Sequence, residues 1–197
     1  MVDVFIAIIL LVDFIISIWN SYAAGFSLGL LKISNGPGWF RAFAVLGLAV
    51  GVLGEAYVIA IVLSLLANAS GLVSSESVLL LLAYNYLITG GLIIVLGIGI
   101  TAESIFIAAR GPARWPHRAY FYNVFASIWN VFFYIRNFGV AMNVIKSEER
   151  EGRGQGAVIV LAIVAVIIAV LLSYIAYHFG NAHASGEYRG RTKDEDL

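Results

Sequence analysis

Five long apolar stretches, each closed by helix-breaking residues, organise the chain. They run from about Val4 to Leu31, Arg41 to Ala67, Val78 to Ala109, Ala119 to Ile145 and Ala157 to Tyr177. A helix needs roughly 20 mostly apolar residues to cross a bilayer, and each stretch is long enough. The breakers between them are Asn35-Gly36-Pro37-Gly38, Ser70-Gly71, Gly111-Pro112, the glycines from Gly152 to Gly156, and Gly180. Apolar residues follow one another without period-two alternation, which favours helices over a membrane barrel. The fold class expected is all-α, a polytopic transmembrane helical bundle with five spans in residues 1–178. Residues 179–197 read as a polar, poorly ordered cytoplasmic tail.

Composition agrees with that pattern. Of 197 residues, 61 % are hydrophobic and 12 % charged. A soluble domain of this size has too little interior to hide so much apolar surface. Disorder is excluded for the same reason. There is no cysteine, so disulfides, thiolate metal sites and cysteine nucleophiles are excluded. Twelve basic residues balance twelve acidic ones, which argues against a nucleic-acid partner. The first stretch opens Met1-Val2-Asp3, without a basic flank, and is too long for a cleaved signal peptide.

Basic residues favour cytoplasmic loops. Lys32 and Arg41 lie in the first loop, Arg110, Arg114 and Arg118 in the third, and Arg189, Arg191 and Lys193 in the tail. This predicts an external N-terminus and a cytoplasmic C-terminus. Lys146, Arg150 and Arg153 then fall outside, offset by Glu148, Glu149 and Glu151. If the fourth stretch does not cross, that loop is cytoplasmic and the tail external. Trp39, Trp115, Tyr120 and Tyr177 stand at predicted span ends, where interfacial aromatics belong. The expected partners are the lipid bilayer, with anionic headgroups at Arg110, Arg114 and Arg118, and a second copy or a larger membrane complex.

Polar positions inside the spans fall on stripes. Asn123, Ser127, Asn130, Tyr134 and Asn137 share one face of the fourth stretch, and Asp13, Ser17, Asn20 and Ser27 share one face of the first. Such faces turn toward protein or a hydrated cavity, not lipid. Ser17-Ile18-Trp19-Asn20 recurs as Ser127-Ile128-Trp129-Asn130, in the manner of an inverted repeat. A competing echo, Gly36-Pro37 with Gly111-Pro112, pairs the first two stretches with the next two in parallel. Gly47 and Gly51 read as a helix-packing pair, and Gly90-Gly91 as a packing notch.

Three charges lie deep. From the span ends, Asp13 and Arg136 come out roughly 15 Å below the external surface and Glu55 roughly 18 Å. Arg136 stays protonated and needs an acid nearby, which predicts a pair with Asp13 or Glu55. The remaining acid would be protonated or would hold a cation. Asn20, Asn85, Asn130 and Asn137 flank this centre. The chemistry points to a small transporter or channel-like protein, coupled to protons or cations. The alternative is a non-transporting subunit or lipid-interacting scaffold whose buried polar groups fix helix packing. An intramembrane enzyme using Asp13 or Glu55 as acid or base comes third, since no nucleophile, metal-ligand spacing or phosphate loop accompanies them. No cofactor and no metal is expected.

Overall fold

The fold was obtained as a computed structural model, which describes residues 4–34, 38–110, 128, 131–132, 134–136, 138–146 and 155–194. Among the described residues the chain is helical, without strands. Helix α1 spans Val4–Ser34, α2 Gly38–Ala69, α3 Ser75–Arg110 and α4 Gln155–Asp194. Helical residues also occur at 131–132, 134–136 and 138–146. Three segments, Ala7–Gly29, Ala44–Ala69 and Gly156–Gly186, are long and apolar enough to cross a membrane. Helix α3, 36 residues long, measures about 54 Å end to end at the α-helical rise. Of the fourth expected span, residues 119–127 and several further positions up to Ile145 lie outside the described residues.

Small residues set the packing. A Cβ at Gly51 would strike the Ser21 hydroxyl, and one at Gly54 the Ser17 hydroxyl. Helices α1 and α2 are therefore antiparallel, with Ser21 opposite Gly51 and Ser17 opposite Gly54. At the α1–α4 seam a Cβ at Gly25 would collide with the Tyr177 carbonyl, and one at Gly180 with the Tyr22 carbonyl. A Cβ at Gly29 would stand 2.8 Å from the Ala184 Cβ. Residue numbers rise together along this seam, so α1 and α4 run parallel. The backbones can approach this closely only because the crossing points lack side chains.

The α2–α3 turn is explained residue by residue. Gly71 takes φ +75°, a left-handed conformation that suits glycine. The Leu72 N–H then reaches the Ala67 carbonyl at 3.0 Å, and the Gly71 N–H reaches Asn68 at 3.0 Å, closing the last turn of α2. The Asn68 amide donates to the Val73 carbonyl at 2.7 Å. Ser74 caps α3, accepting from the Ser77 N–H at 3.3 Å. The turn makes α2 and α3 antiparallel. Since α4 is parallel to α1, α3 ends at one end of the bundle and α4 begins at the other.

One expectation changes here. Helix α4 does not end near Tyr177 but continues to Asp194. Within the segment expected to be a poorly ordered tail, Gly180 and Ala184 are buried. The physical reason is the small-residue face shared by Ala176, Gly180 and Ala184, which prolongs the contact with α1. Tyr177 is thus a seam residue, not a terminal one. The outer face of α4 is apolar and exposed, with Ile163, Val166, Ile167, Val170, Leu171 and Tyr174 among its residues.

Candidate functional site: a buried carboxylate among hydroxyls

Glu55 lies in the fifth turn of α2 counted from Gly38 and is 0 % exposed. Gly51, one turn earlier, lets α1 close against this face and brings Ser21 to the carboxylate. Ser173 of α4 donates to Glu55 Oε1 at 2.8 Å. Ser21 lies 3.3 Å from the same oxygen and 2.9 Å from the Ser173 hydroxyl. Three helices therefore meet on one carboxylate oxygen. The other, Oε2, is buried and has no hydrogen-bond partner among the described residues. A buried carboxylate without a compensating charge is costly in a low-dielectric interior.

The surroundings are polar but neutral. Ser17, Asn20, Ser27, Asn85 and Thr89 are all buried. The Thr89 methyl stands 3.5 Å from where a Gly54 Cβ would be, and the Thr89 hydroxyl is buried without a partner among the described residues. Ser17 donates to the Asp13 carbonyl at 2.7 Å, and Ser21 stands 3.4 Å from the Ser17 carbonyl. Toward the N-terminal end of α1, Leu10, Val58 and Ile61 form an apolar cluster walled by Phe14, Leu65, Leu81 and Leu82. That cluster separates the carboxylate from the nearer end of the bundle.

The polar stripe of α1 faces inward as its spacing implies. Ser17, Asn20 and Ser27 are buried, with Asp13 half-buried at its end. Asp13 and Glu55 do not share one layer, however. Asp13 precedes Ser21 by eight residues, about 12 Å along the helix. It lies within electrostatic reach of Tyr86 on α3. Arg136 is on an exposed face, and Glu55 Oε1 is held by two serine hydroxyls, not by a guanidinium. The expected pairing of Arg136 with Glu55 is thus not what holds the carboxylate. Asn20 and Asn85 are buried in the same bundle interior as Glu55. Asn130 and Asn137 lie outside the described residues, as do Asn123 and Ser127. Tyr134 is half-buried, its hydroxyl 3.6 Å from where a Gly91 Cβ would stand, so the expected notch is occupied by this ring.

Sequence reasoning missed four participants. Ser21 and Ser173 complete the carboxylate's shell. Tyr22 and His183 form a second polar contact, in which the Tyr22 hydroxyl meets His183 Nδ1. Phe26 packs edge-on to the same imidazole, with ring centroids 5.5 Å apart. By sequence His183 falls in the polar segment 179–197 that reads as a tail. The feature that could have found it is Ala176-x-x-x-Gly180-x-x-x-Ala184, a small-residue repeat that carries the helix onward. No protein-family model matches this sequence, and no curated protein or solved structure matches it.

Proposed function

We propose that this is a small multi-pass membrane transport protein, with Glu55 as the group that binds and releases a proton or cation. The supporting observation is a fully buried carboxylate, held by hydroxyls from two other helices, with one oxygen unsatisfied among the described residues. Helix packing alone needs no ionisable group there, because an amide or hydroxyl would bridge the helices at lower cost. The apolar cluster of Leu10, Val58 and Ile61 on one side and the glycine-packed α1–α4 seam on the other describe an occluded centre. Movement of α1 or α4 along its glycine contacts would open Glu55 to one end at a time.

The five-span reading belongs to this proposal. Thr89 lies at the level of Gly54, and Arg110 follows Thr89 by 21 residues, about 31 Å further along α3. Gln155 precedes Ser173 by 18 residues, about 27 Å toward the opposite end. A crossing by the fourth apolar stretch would connect these two ends, and this supports reading it as a span. By the basic-residue bias, the end carrying Lys32, Arg41, Arg110 and the α4 C-terminus is cytoplasmic. The headgroup partners proposed for Arg110, Arg114 and Arg118 lie on that side.

The reading is tested with the purified protein in liposomes. Ion or proton flux should be lost in Glu55→Gln and altered in Asp13→Asn. Normal flux in both variants would remove these residues from the mechanism. Lost thermal stability with no flux in the unaltered protein would favour the scaffold.

A further inference from the structure

We infer that the occupant of the Glu55 centre is a proton and not a metal cation, and that Asp13 and His183 are its stations toward the two ends of the bundle. This deepens the transport reading and rests on it. The first argument is a count of oxygens. A metal cation needs several oxygen lone pairs turned on it together. At this centre the hydroxyls are engaged with one another and with Oε1, at hydrogen-bond distances of 2.8 and 2.9 Å. Of the two carboxylate oxygens Oε2 is left over, and among the described residues no group of three histidine or carboxylate side chains gathers to hold a metal ion. A single carboxylate among neutral hydroxyls offers a metal ion little compensating charge, and one free carboxylate oxygen is sufficient for a proton, which it holds covalently. Protonation also removes the uncompensated charge. Among the described residues no charged group touches Glu55, which meets Ser21 from α1 and Ser173 from α4.

The second argument is the placement of the other titratable groups. Asp13 lies about 12 Å from the level of Ser21 toward the N-terminal end of α1. Its facing group on α3 is Tyr86. The Ser17 hydroxyl lies between Asp13 and Ser21 in sequence and donates to the Asp13 backbone carbonyl. In the other direction His183 follows Ser173 by ten residues, about 15 Å along α4. It faces Tyr22 and Phe26 of α1, and the Tyr22 hydroxyl is bonded to it. Acid, acid and imidazole thus stand at three levels of one interhelical interior. In each cycle the Asp13 carboxyl takes a proton from water at its end and gives it up toward the centre, where Oε2 of the Glu55 carboxylate gains it to give the neutral acid as Asp13 returns to the carboxylate. Glu55 then releases that proton, and His183 carries it as imidazolium before yielding it to water. No bond other than O–H and N–H changes, and no electrons are transferred.

The test uses the full chain in vesicles holding a trapped pH dye, with equal potassium on both sides and valinomycin to clamp the voltage. An imposed pH gradient should collapse at the same rate with and without sodium. Glu55→Gln should return the rate to that of empty vesicles, while Asp13→Asn and His183→Gln should slow it. Collapse that requires sodium would overturn the proton assignment and leave the transport reading standing. Movement of neither protons nor tracer sodium would overturn both. Infrared difference spectra on the same protein give an independent readout. A protonated-carboxyl carbonyl band at neutral pH should be present and should vanish in Glu55→Gln. Its absence from the unaltered protein would refute the assignment whatever the vesicles show.

Discussion

Ser173 holds the Glu55 carboxylate by the shortest of its contacts, 2.8 Å, and also anchors Ser21 at 2.9 Å. Ser173→Ala leaves Oε1 with a single hydroxyl at 3.3 Å. The expected loss is about 1 kcal/mol of stability, read in detergent denaturation, because hydrogen bonds between membrane helices contribute on that scale. Ser173→Thr, which keeps the hydroxyl, should restore more of the flux than of the stability, since its methyl enters a fully packed position. Asp13, Asn20, Glu55 and Asn85 were legible in the sequence because a polar residue in an apolar run stands out by its cost. Ser21 and Ser173 were not, because a lone serine is tolerated on any face of a membrane helix. Their role depends on which neighbour the helix turns toward, and one-dimensional spacing does not contain that. The pairing expected of Arg136 rests on depth along a span, whereas its exposed position around the helix is a feature that depth does not contain.

At the scale of the element, the α1–α4 seam makes the strongest demand on side-chain size. Gly180→Leu would drive a side chain into the Tyr22 backbone and the Phe26 N–H. Overpacking of this kind costs about 1–3 kcal/mol, and the melting temperature should fall accordingly. Gly186→Ala, at an exposed helical position with open space around it, should leave the melting temperature unchanged or raise it slightly, by the helix preference for alanine. The α2–α3 turn offers two further checks. Gly71→Ala has room but places a side chain at φ +75°, and should destabilise by about 1 kcal/mol. At the start of α3, hydrogen bonds from its own backbone N–H and from Ser74 hold the Glu76 carboxyl below the ordinary glutamate value. A lowered value means that its stabilisation is present above the ordinary range and is lost as pH falls through the lowered one. The protection factors of the Ser77 and Val78 amides, taken relative to the intrinsic exchange rate at each pH, should therefore fall on acidification, and in Glu76→Gln they should not. The extent of α4 was the least legible element. Asn181, His183 and Ser185 look like a solvated tail, whereas the alanine and glycine positions beneath them keep the helix on α1.

For the whole molecule, the parallel course of α1 and α4 has a consequence that labelling can read directly. The natural chain has no cysteine, so single cysteines can be introduced without removing any. Ser70→Cys and Ser147→Cys should react with an impermeant thiol reagent from the same side of the membrane, and Gly111→Cys from the other. Ser147→Cys labelling with Gly111→Cys instead would mean that the fourth stretch does not cross. The hydrophobic pattern carried the helical architecture of the described residues. It did not carry the order of packing, which glycine and serine contacts determine.

The claim on which the rest depends is that Glu55 is the working group of a transport centre and not only a packing residue. The most direct measurement is the rate at which proteoliposomes collapse an imposed pH gradient, compared between the unaltered chain and Glu55→Gln. The comparison is made where both melt at the same temperature. The account predicts that the Glu55→Gln rate falls to that of empty vesicles. Equal rates for the two proteins would contradict it.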